Sequence, residues 1–161
     1  MAYINVAEGE DQFVQLDINA SGTFADADTA MADSANVMTV PSLQEVTVNA
    51  TPGLFRWKQL DSLSEQVVTT PSTNSIALTL VLDDTTFFTG TGGTAGIFDI
   101  TRNKTLCYFR LYWSGSDSGD RYVEGSGYLS ALAPTVNPDS PVWTSPITIE
   151  VVGDFTADVL A

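Results

Sequence analysis

The segment KTLCYFRLYWSGSDSGDRYVEGSGYLS, residues 104–130, contains two candidate β-strands joined by a turn. Side chains in its first half alternate between two faces, as they do in a β-strand. One face carries Cys107, Phe109, Leu111 and Trp113, and the other carries Leu106, Tyr108, Arg110 and Tyr112. Residues 114–119 are Ser, Gly and Asp, which are typical of hairpin loops. The segment therefore predicts an antiparallel β-hairpin.

The same alternation recurs along the chain and predicts further strands of roughly 5–10 residues. The alternating apolar positions are Val14, Leu16 and Ile18; Val46 and Val48; Phe55 and Trp57; Ile76, Leu78, Leu80 and Leu82; and Ile147, Ile149 and Val151. Helix signals are sparse: one short helix is expected within residues 93–103, with a weaker candidate at residues 24–36. The pattern predicts a single, mainly β domain over residues 1–161, an antiparallel sandwich or barrel-like fold with one short flanking helix.

The apolar strand faces supply the predicted core, which consists of Trp57, Phe109, Leu111, Trp113, Ile147 and Ile149. Two stretches are expected to be irregular. Residues 1–40 are a candidate arm or extended loop. Residues 59–75 are polar, rich in Ser and Thr and interrupted by Pro71, so they predict a long inter-strand loop. Loops of that length in compact domains are often functional.

The composition of the 161-residue chain excludes several classes of function. Histidine is absent, which excludes Ser-His-Asp catalysis and His-containing zinc sites, and a lone cysteine, Cys107, excludes an internal disulfide. Twenty acids against six bases give a net charge of -14, which argues against an ordinary DNA-binding domain and an anionic membrane partner. The N-terminus has acids and no base, unlike a secretory signal, so synthesis in a cytoplasm is expected.

Carboxylates, glycines and aromatics offer only weak candidate sites. Possible calcium ligands are the pairs Asp26 with Asp28, Asp83 with Asp84, and Asp117 with Asp120, although two acids do not complete a calcium shell. Asp99 with Glu124 is a conceivable glycosidase pair. The glycines at residues 90–96 do not match a phosphate-binding motif. Aromatics at residues 108–128 fit cross-strand packing better than a carbohydrate platform. The sequence predicts no catalytic residue, metal site or cofactor.

Five segments follow one another in an order that points to a known family. They are LVLDD (80–84), GIFDITRNK (96–104), YFRLYW (108–113), RYVEGSGYLS (121–130) and ITIEVVGDF (147–155). The strands EGSGYLS and IEVVG carry most of the likeness. Over residues 40–157 the chain resembles the major tail tube proteins of long-tailed, siphovirus-like bacteriophages.

The resemblance implies a structural virion protein and no enzyme. Proteins of this family form rings, usually hexamers, that stack into a hollow tube through which genomic DNA passes. The implied partners are further copies of the chain, other phage tail proteins and double-stranded DNA in transient passage, with no membrane. The implied location is the virion tail, after synthesis in the host cytoplasm.

The resemblance also suggests roles for particular residues. The predicted loop at residues 59–75 corresponds to a loop that contacts the next ring, with Leu60, Leu63, Val67 and Val68 as its contact residues. Glu45, Glu124 and Glu150 lie on predicted strands opposite apolar residues and are candidate lumen-facing acids. Two other classes stay open: a capsid decoration or head–tail completion protein, and a calcium-dependent carbohydrate-binding β-sandwich.

Overall fold

The computed structural model describes residues 14–58, 64–113, 115 and 117–161, which form one antiparallel sheet and three short helical segments. The strands are β1 (Gln15–Asn19), β2 (Met38–Val40), β3 (Leu43–Lys58), β4 (Glu65–Val81), β5 (Cys107–Tyr112), β6 (Arg121–Ser130), β7 (Thr135–Asn137), β8 (Ser140–Val151) and β9 (Thr156–Val159). The helices are α1 (Ala27–Ala32) and α2 (Ile97–Asn103), with a π-helical turn (Thr85–Thr89) between β4 and α2. The prediction of a mainly β fold is confirmed.

The sheet has the strand order β2-β1-β5-β6-β8-β4-β3, with β7 added beside β8 and β9 beside β6. The predicted central hairpin is the pair β5–β6, in which Phe109 lies opposite Gly125 and Arg110 opposite Glu124. The sheet does not close into a barrel. Within the described part of the chain, β2 and β3 are therefore its edges.

The sheet curls over one apolar core. Leu16 near one end of the sheet and Ile76 near the other belong to the same buried cluster, and Ile97 and Ile100 of α2 pack into it. This curled arrangement buries one face of most strands and gives the domain its sandwich-like character. Because only one face of each of these strands is buried, apolar and polar residues alternate along them, and this alternation predicted the strands.

Most of the predicted core is confirmed. Phe109, Leu111, Ile147 and Ile149 are each at most 2% exposed. Trp57 and Trp113 are only half-buried, so their assignment to the core is wrong.

Helix α1 packs on the other face of the sheet, over β1, β5 and β6. Asp26 caps its N-terminus, because a carboxylate oxygen accepts a hydrogen bond from the Thr29 amide at 2.8 Å. Ala30 and Met31 pack on Tyr108, whose hydroxyl donates to the Phe24 carbonyl at 2.8 Å. The helix therefore covers one end of a face that the rest of the sheet leaves open.

Both stretches expected to be irregular contain regular elements. Residues 15–40, expected as an arm or extended loop, instead supply β1, α1 and β2, and β1 pairs with both β2 and β5. Residues 65–75 form the first part of β4, so the loop prediction is wrong there. The predicted helix at residues 93–103 is α2, and the weaker candidate contains α1. No helix in the described ranges is long and apolar enough to cross a bilayer.

Truncation of the core is expected to be costly. Leu111→Ala should lower the free energy of unfolding by about 2–5 kcal/mol, because it leaves a cavity at a site that is 1% exposed. Leu54→Ala is the matched control, since Leu54 is 48% exposed and its truncation should change stability by about 0.5 kcal/mol or less. Denaturant titration of both variants measures the difference, and equal losses would contradict the assignment of the core face.

Candidate assembly surfaces

The two longest strands form a hairpin that extends beyond the rest of the sheet. β3 and β4 pair from Leu43 opposite Leu80 to Lys58 opposite Glu65, whereas β4 pairs with β8 only over residues 75–81. Residues 50–58 and 65–74 therefore have no third strand beside them within the described chain. We call these residues the projecting hairpin. At the rise of a β-strand they reach about 30 Å beyond the sheet.

A β-bulge lies near the base of the projecting hairpin. The pairing register shifts between Thr51 and Gly53, and two prolines, Pro52 and Pro71, lie at the shift. Proline lacks an N–H donor and is tolerated in a sheet at such a bulge. A Cβ atom on Gly53 would lie 2.3 Å from the Pro71 carbonyl oxygen, so only glycine allows the strands this close. The sequence thus fixes where the hairpin bends.

The projecting hairpin carries an exposed apolar surface. Leu54, Phe55, Val67 and Val68 are each 48–59% exposed. Phe55 stacks on Trp57 with ring centroids 5.8 Å apart and lies opposite Val68 in the register. Phe55, Trp57 and Val68 share one face of the hairpin, and Leu54 and Val67 share the other. Exposed apolar side chains on a projecting arm mark an interaction surface.

This surface contains two of the four residues predicted to contact the next ring. Val67 and Val68 lie on β4 rather than in a loop, and their contact with another ring stays a prediction. Leu60 and Leu63 lie outside the described residues.

Hydrogen bonds anchor the base of the projecting hairpin to the turn between β8 and β9. The Ser72 hydroxyl donates to Asp154 Oδ1 at 2.5 Å, and the Asn74 side-chain amide donates to the same oxygen at 2.8 Å and to the Gly153 carbonyl at 2.9 Å. These bonds, first from Ser72 and then from Asn74, lower the pKa of Asp154 below its ordinary value. The anchor is therefore strongest when the Asp154 carboxylate is ionised.

The anchor is expected to weaken in acid. Because the folded chain lowers the pKa of Asp154, the stabilisation is complete above the ordinary pKa near 3.9 and is lost as the pH falls through the lowered value. The Asn74 side-chain amide signal in NMR should therefore shift with a midpoint below 3.9. Asp154→Asn should abolish that shift. A midpoint at or above the ordinary value would contradict the anchor.

Two of the three predicted acids are exposed on the face of the sheet opposite the core, here called the outer face. Glu45 on β3 lies opposite Thr79, and Glu150 on β8 lies opposite Tyr128 and accepts a hydrogen bond from the Ser130 hydroxyl at 3.2 Å. Both carboxylates lie on the part of the outer face formed by β3, β4 and β8, and α1 packs over the other end of the sheet. Both carboxylates are therefore accessible to a molecule that contacts this part of the outer face.

The third predicted acid, Glu124, is not available at the surface. Its side chain is 8% exposed and forms an ion pair with Arg110, whose Nε and terminal nitrogen donate to Glu124 Oε2 at 2.9 and 2.6 Å. The same arginine donates to Asp28 on α1 at 2.8 Å and lies over the Tyr122 ring, 4.2 Å from its centroid. The assignment of Glu124 as a lumen-facing acid is corrected: it ties β5 to β6 and, through Arg110, to α1.

Electrostatics keeps this buried arginine charged. Desolvation alone would lower the pKa of Arg110, but the hydrogen bonds that Arg110 donates to Glu124 and Asp28 outweigh it and raise the pKa. A sequence signal for the pair did exist. Arg110 and Glu124 stand at mirrored positions of the predicted hairpin, on the same face, where opposite charges attract.

The other candidate ligands have separate structural roles. Asp83 accepts a hydrogen bond from the Thr86 amide at 2.9 Å, and Asp99 pairs with Arg102 at 2.8 Å on α2. Asp99 lies on the helix that packs into the core side, whereas Glu124 points to the outer face, so the proposed glycosidase pair is not brought together. Over the ranges that the structure describes, no three His, Cys, Asp or Glu side chains are grouped as metal ligands.

Comparison with solved structures places this fold in a class, the tail tube fold of bacteriophages and gene transfer agents. The chain is similar to the tail of an empty gene transfer agent particle with C6 symmetry (10% identity, TM-score 0.59, covering 95% of this chain and 99% of that chain). It is also similar to the SPP1 tail tube, with 13% identity and a TM-score of 0.64 over 94% of this chain and 78% of that chain. Its similarity to the native gene transfer agent virion has 12% identity and a TM-score of 0.52, over 93% of this chain and 98% of that chain.

The sequence comparisons give a different result. No family model matches the chain, and no curated protein sequence matches it. At identities of 10–13% the likeness to the solved structures establishes the fold. The predicted resemblance to tail tube proteins is confirmed at that level.

Proposed function

We propose that this chain is a major tail tube protein of a long-tailed phage, a structural virion protein whose copies form rings that stack into a tube. The observation that carries the proposal is the projecting hairpin, with its exposed apolar surface on a tail tube fold. An exposed apolar surface of this kind marks a site that another molecule covers. A second copy in the adjacent ring would cover it.

Ring size and location follow from the same proposal. A similar structure was solved with C6 symmetry, which is compatible with hexameric rings. The chain would reside in the virion tail with other tail proteins, after synthesis in the host cytoplasm, and would have no catalytic role.

Imaging of the purified protein tests this proposal. Negative-stain microscopy across a concentration series should show uniform hollow tubes that lengthen as concentration rises. Single rings that never stack would favour a head–tail completion protein instead. Monomers at every concentration would refute the tube.

The acidic balance suggests how DNA would pass through such a tube. Six copies would carry a formal charge of -84, six times the -14 of one chain. A basic lining would hold DNA by counterion release, whereas an acidic lining repels it and leaves the path free. We propose that the outer face lines the lumen and that Glu45 and Glu150 contribute to this repulsion.

Charge reversal on the outer face is expected to slow DNA passage without preventing assembly. Glu45→Lys with Glu150→Lys should leave tubes intact and reduce DNA ejection from assembled particles, most strongly at low salt where screening is weakest. Asp139→Lys is a control that changes charge in the exposed β7–β8 turn. Ejection at the normal rate from the double variant would remove these acids from the lumen.

A further inference from the structure

An aromatic groove lies at the end of the sheet opposite the projecting hairpin. It has a volume of about 390 Å³ and is lined chiefly by Phe87, Phe88, Phe98, Pro134 and Trp143. Phe88 and Trp143 are more than half exposed, and the rings of Phe88 and Phe98 lie 6.0 Å apart. The groove is formed by the π-helical turn, α2 and the start of β8, which are far apart in the sequence.

Strand β4 connects the two surfaces. Its first residues, from Glu65, belong to the projecting hairpin, and its last residue, Val81, directly precedes the segment that begins the groove. At about 3.3 Å per residue, the distance along β4 from Glu65 in the hairpin to Val81 beside the groove is about 50 Å. Complementary surfaces at opposite ends of one molecule produce head-to-tail contacts that repeat in one direction.

Charge complementarity points to the hairpin as the occupant of the groove. Asp83 and Asp84 lie at the groove, and the Asp84 side chain is exposed there. The projecting hairpin holds two of the six bases of this acidic chain, Arg56 and Lys58, on the face opposite its aromatic pair. The ion pair of Arg56 with Glu65 is exposed and 3.6 Å long, and an exposed pair of this kind is weak, so the Arg56 charge can also meet another carboxylate.

We propose that the aromatic groove receives the projecting hairpin of a second copy of this chain. The proposal rests on the proposed tube, since it names the surface on which the hairpin of one ring docks in the next. The apolar side chains of the hairpin cover the exposed rings of the groove. Arg56 and Lys58 approach the exposed Asp84 at the rim.

Disulfide trapping tests the contact directly. One preparation carries Val68→Cys in the hairpin, and a second carries Phe88→Cys in the groove. The native Cys107 is buried, and burial raises its pKa to about 12, so it contributes little background. Mild oxidation of the mixture should yield a cross-linked dimer. Tyr128→Cys, which places an equally accessible thiol on the outer face, should not replace Phe88→Cys.

Assembly measurements provide the second readout. Phe88→Asp should raise the concentration needed for tubes by on the order of tenfold or more, whereas Tyr128→Asp should leave it unchanged. Asp84→Lys should have an effect in the same direction, and adding Lys58→Glu should restore assembly. Circular dichroism checks that each variant is folded. If Phe88→Asp does not fold, the disulfide cross-link alone tests the contact.

The outcomes separate this proposal from the one on which it rests. If the wild-type protein forms tubes, Phe88→Asp assembles normally and Val68→Cys does not cross-link to Phe88→Cys, docking of the hairpin in the groove is refuted. The proposed tube is then still supported. Absence of wild-type tubes would refute the proposed function, and a cross-link would then still support docking between copies.

Discussion

Replacing residues 54–69 with Asn-Gly is expected to abolish tube formation while leaving the domain folded. Gly53 and Thr70 lie opposite each other in the register, so a two-residue turn of this composition can join them. The buried core lies elsewhere in the sheet, and a shorter connection costs little stability. The change removes all four exposed apolar side chains, Leu54, Phe55, Val67 and Val68, from the hairpin.

The expected loss of assembly is complete because each contact is weak by itself. Full burial of such a side chain contributes about 1.5–3 kcal/mol, and these are already half-buried. Stacking therefore depends on repetition around a ring. Size-exclusion chromatography and negative-stain imaging of both forms at matched concentration give the result.

A second variant separates the length of the hairpin from its apolar surface. Replacing the four exposed side chains by Ser or Thr, with the length kept, should also prevent stacking. Tubes of normal length from the shortened chain would show that the hairpin has no role in stacking.

Arg110→Met is expected to destabilise the fold by about 3–5 kcal/mol, because it leaves the Glu124 carboxylate buried without its partner. It also releases Asp28, and with it the only ion pair between α1 and the sheet among the described residues. Denaturant titration of the purified variant measures the loss. Few other single changes to the chain should cost as much.

The double variant Arg110→Met with Glu124→Leu is the control for this prediction. Replacing a whole buried ion pair by apolar side chains is often close to neutral, so most of the stability should return. If the single variant lost less than about 1 kcal/mol, Glu124 would be solvated, as an exposed surface pair is.

Alternation in the sequence predicted the strands around the core and failed where no second layer covers the chain. Phe109, Leu111 and Ile149 were placed correctly, because a curled sheet buries one face of each strand. Trp57 has the same pattern but lies on the projecting hairpin, where no second layer of the described chain packs on it and it stays half-buried. Periodicity shows which residues share a face, and it cannot show what packs on that face.

Residues 65–75 show the converse error. They are Ser- and Thr-rich and contain Pro71, and they lack apolar alternation because a two-stranded arm has no buried face. The groove was missed for another reason. Phe88, Phe98 and Trp143 come from three separate elements, and only the tertiary fold brings them together.

The bulge at Pro52 and Gly53 interrupts a long exposed strand edge. In the described chain β3 is a free edge 16 residues long, and a long free edge is a template on which further strands add without limit. The bulge divides that edge into two shorter lengths, and the missing N–H of Pro52 interrupts the row of donors. Folded copies of the chain are thereby less prone to add to one another edge to edge.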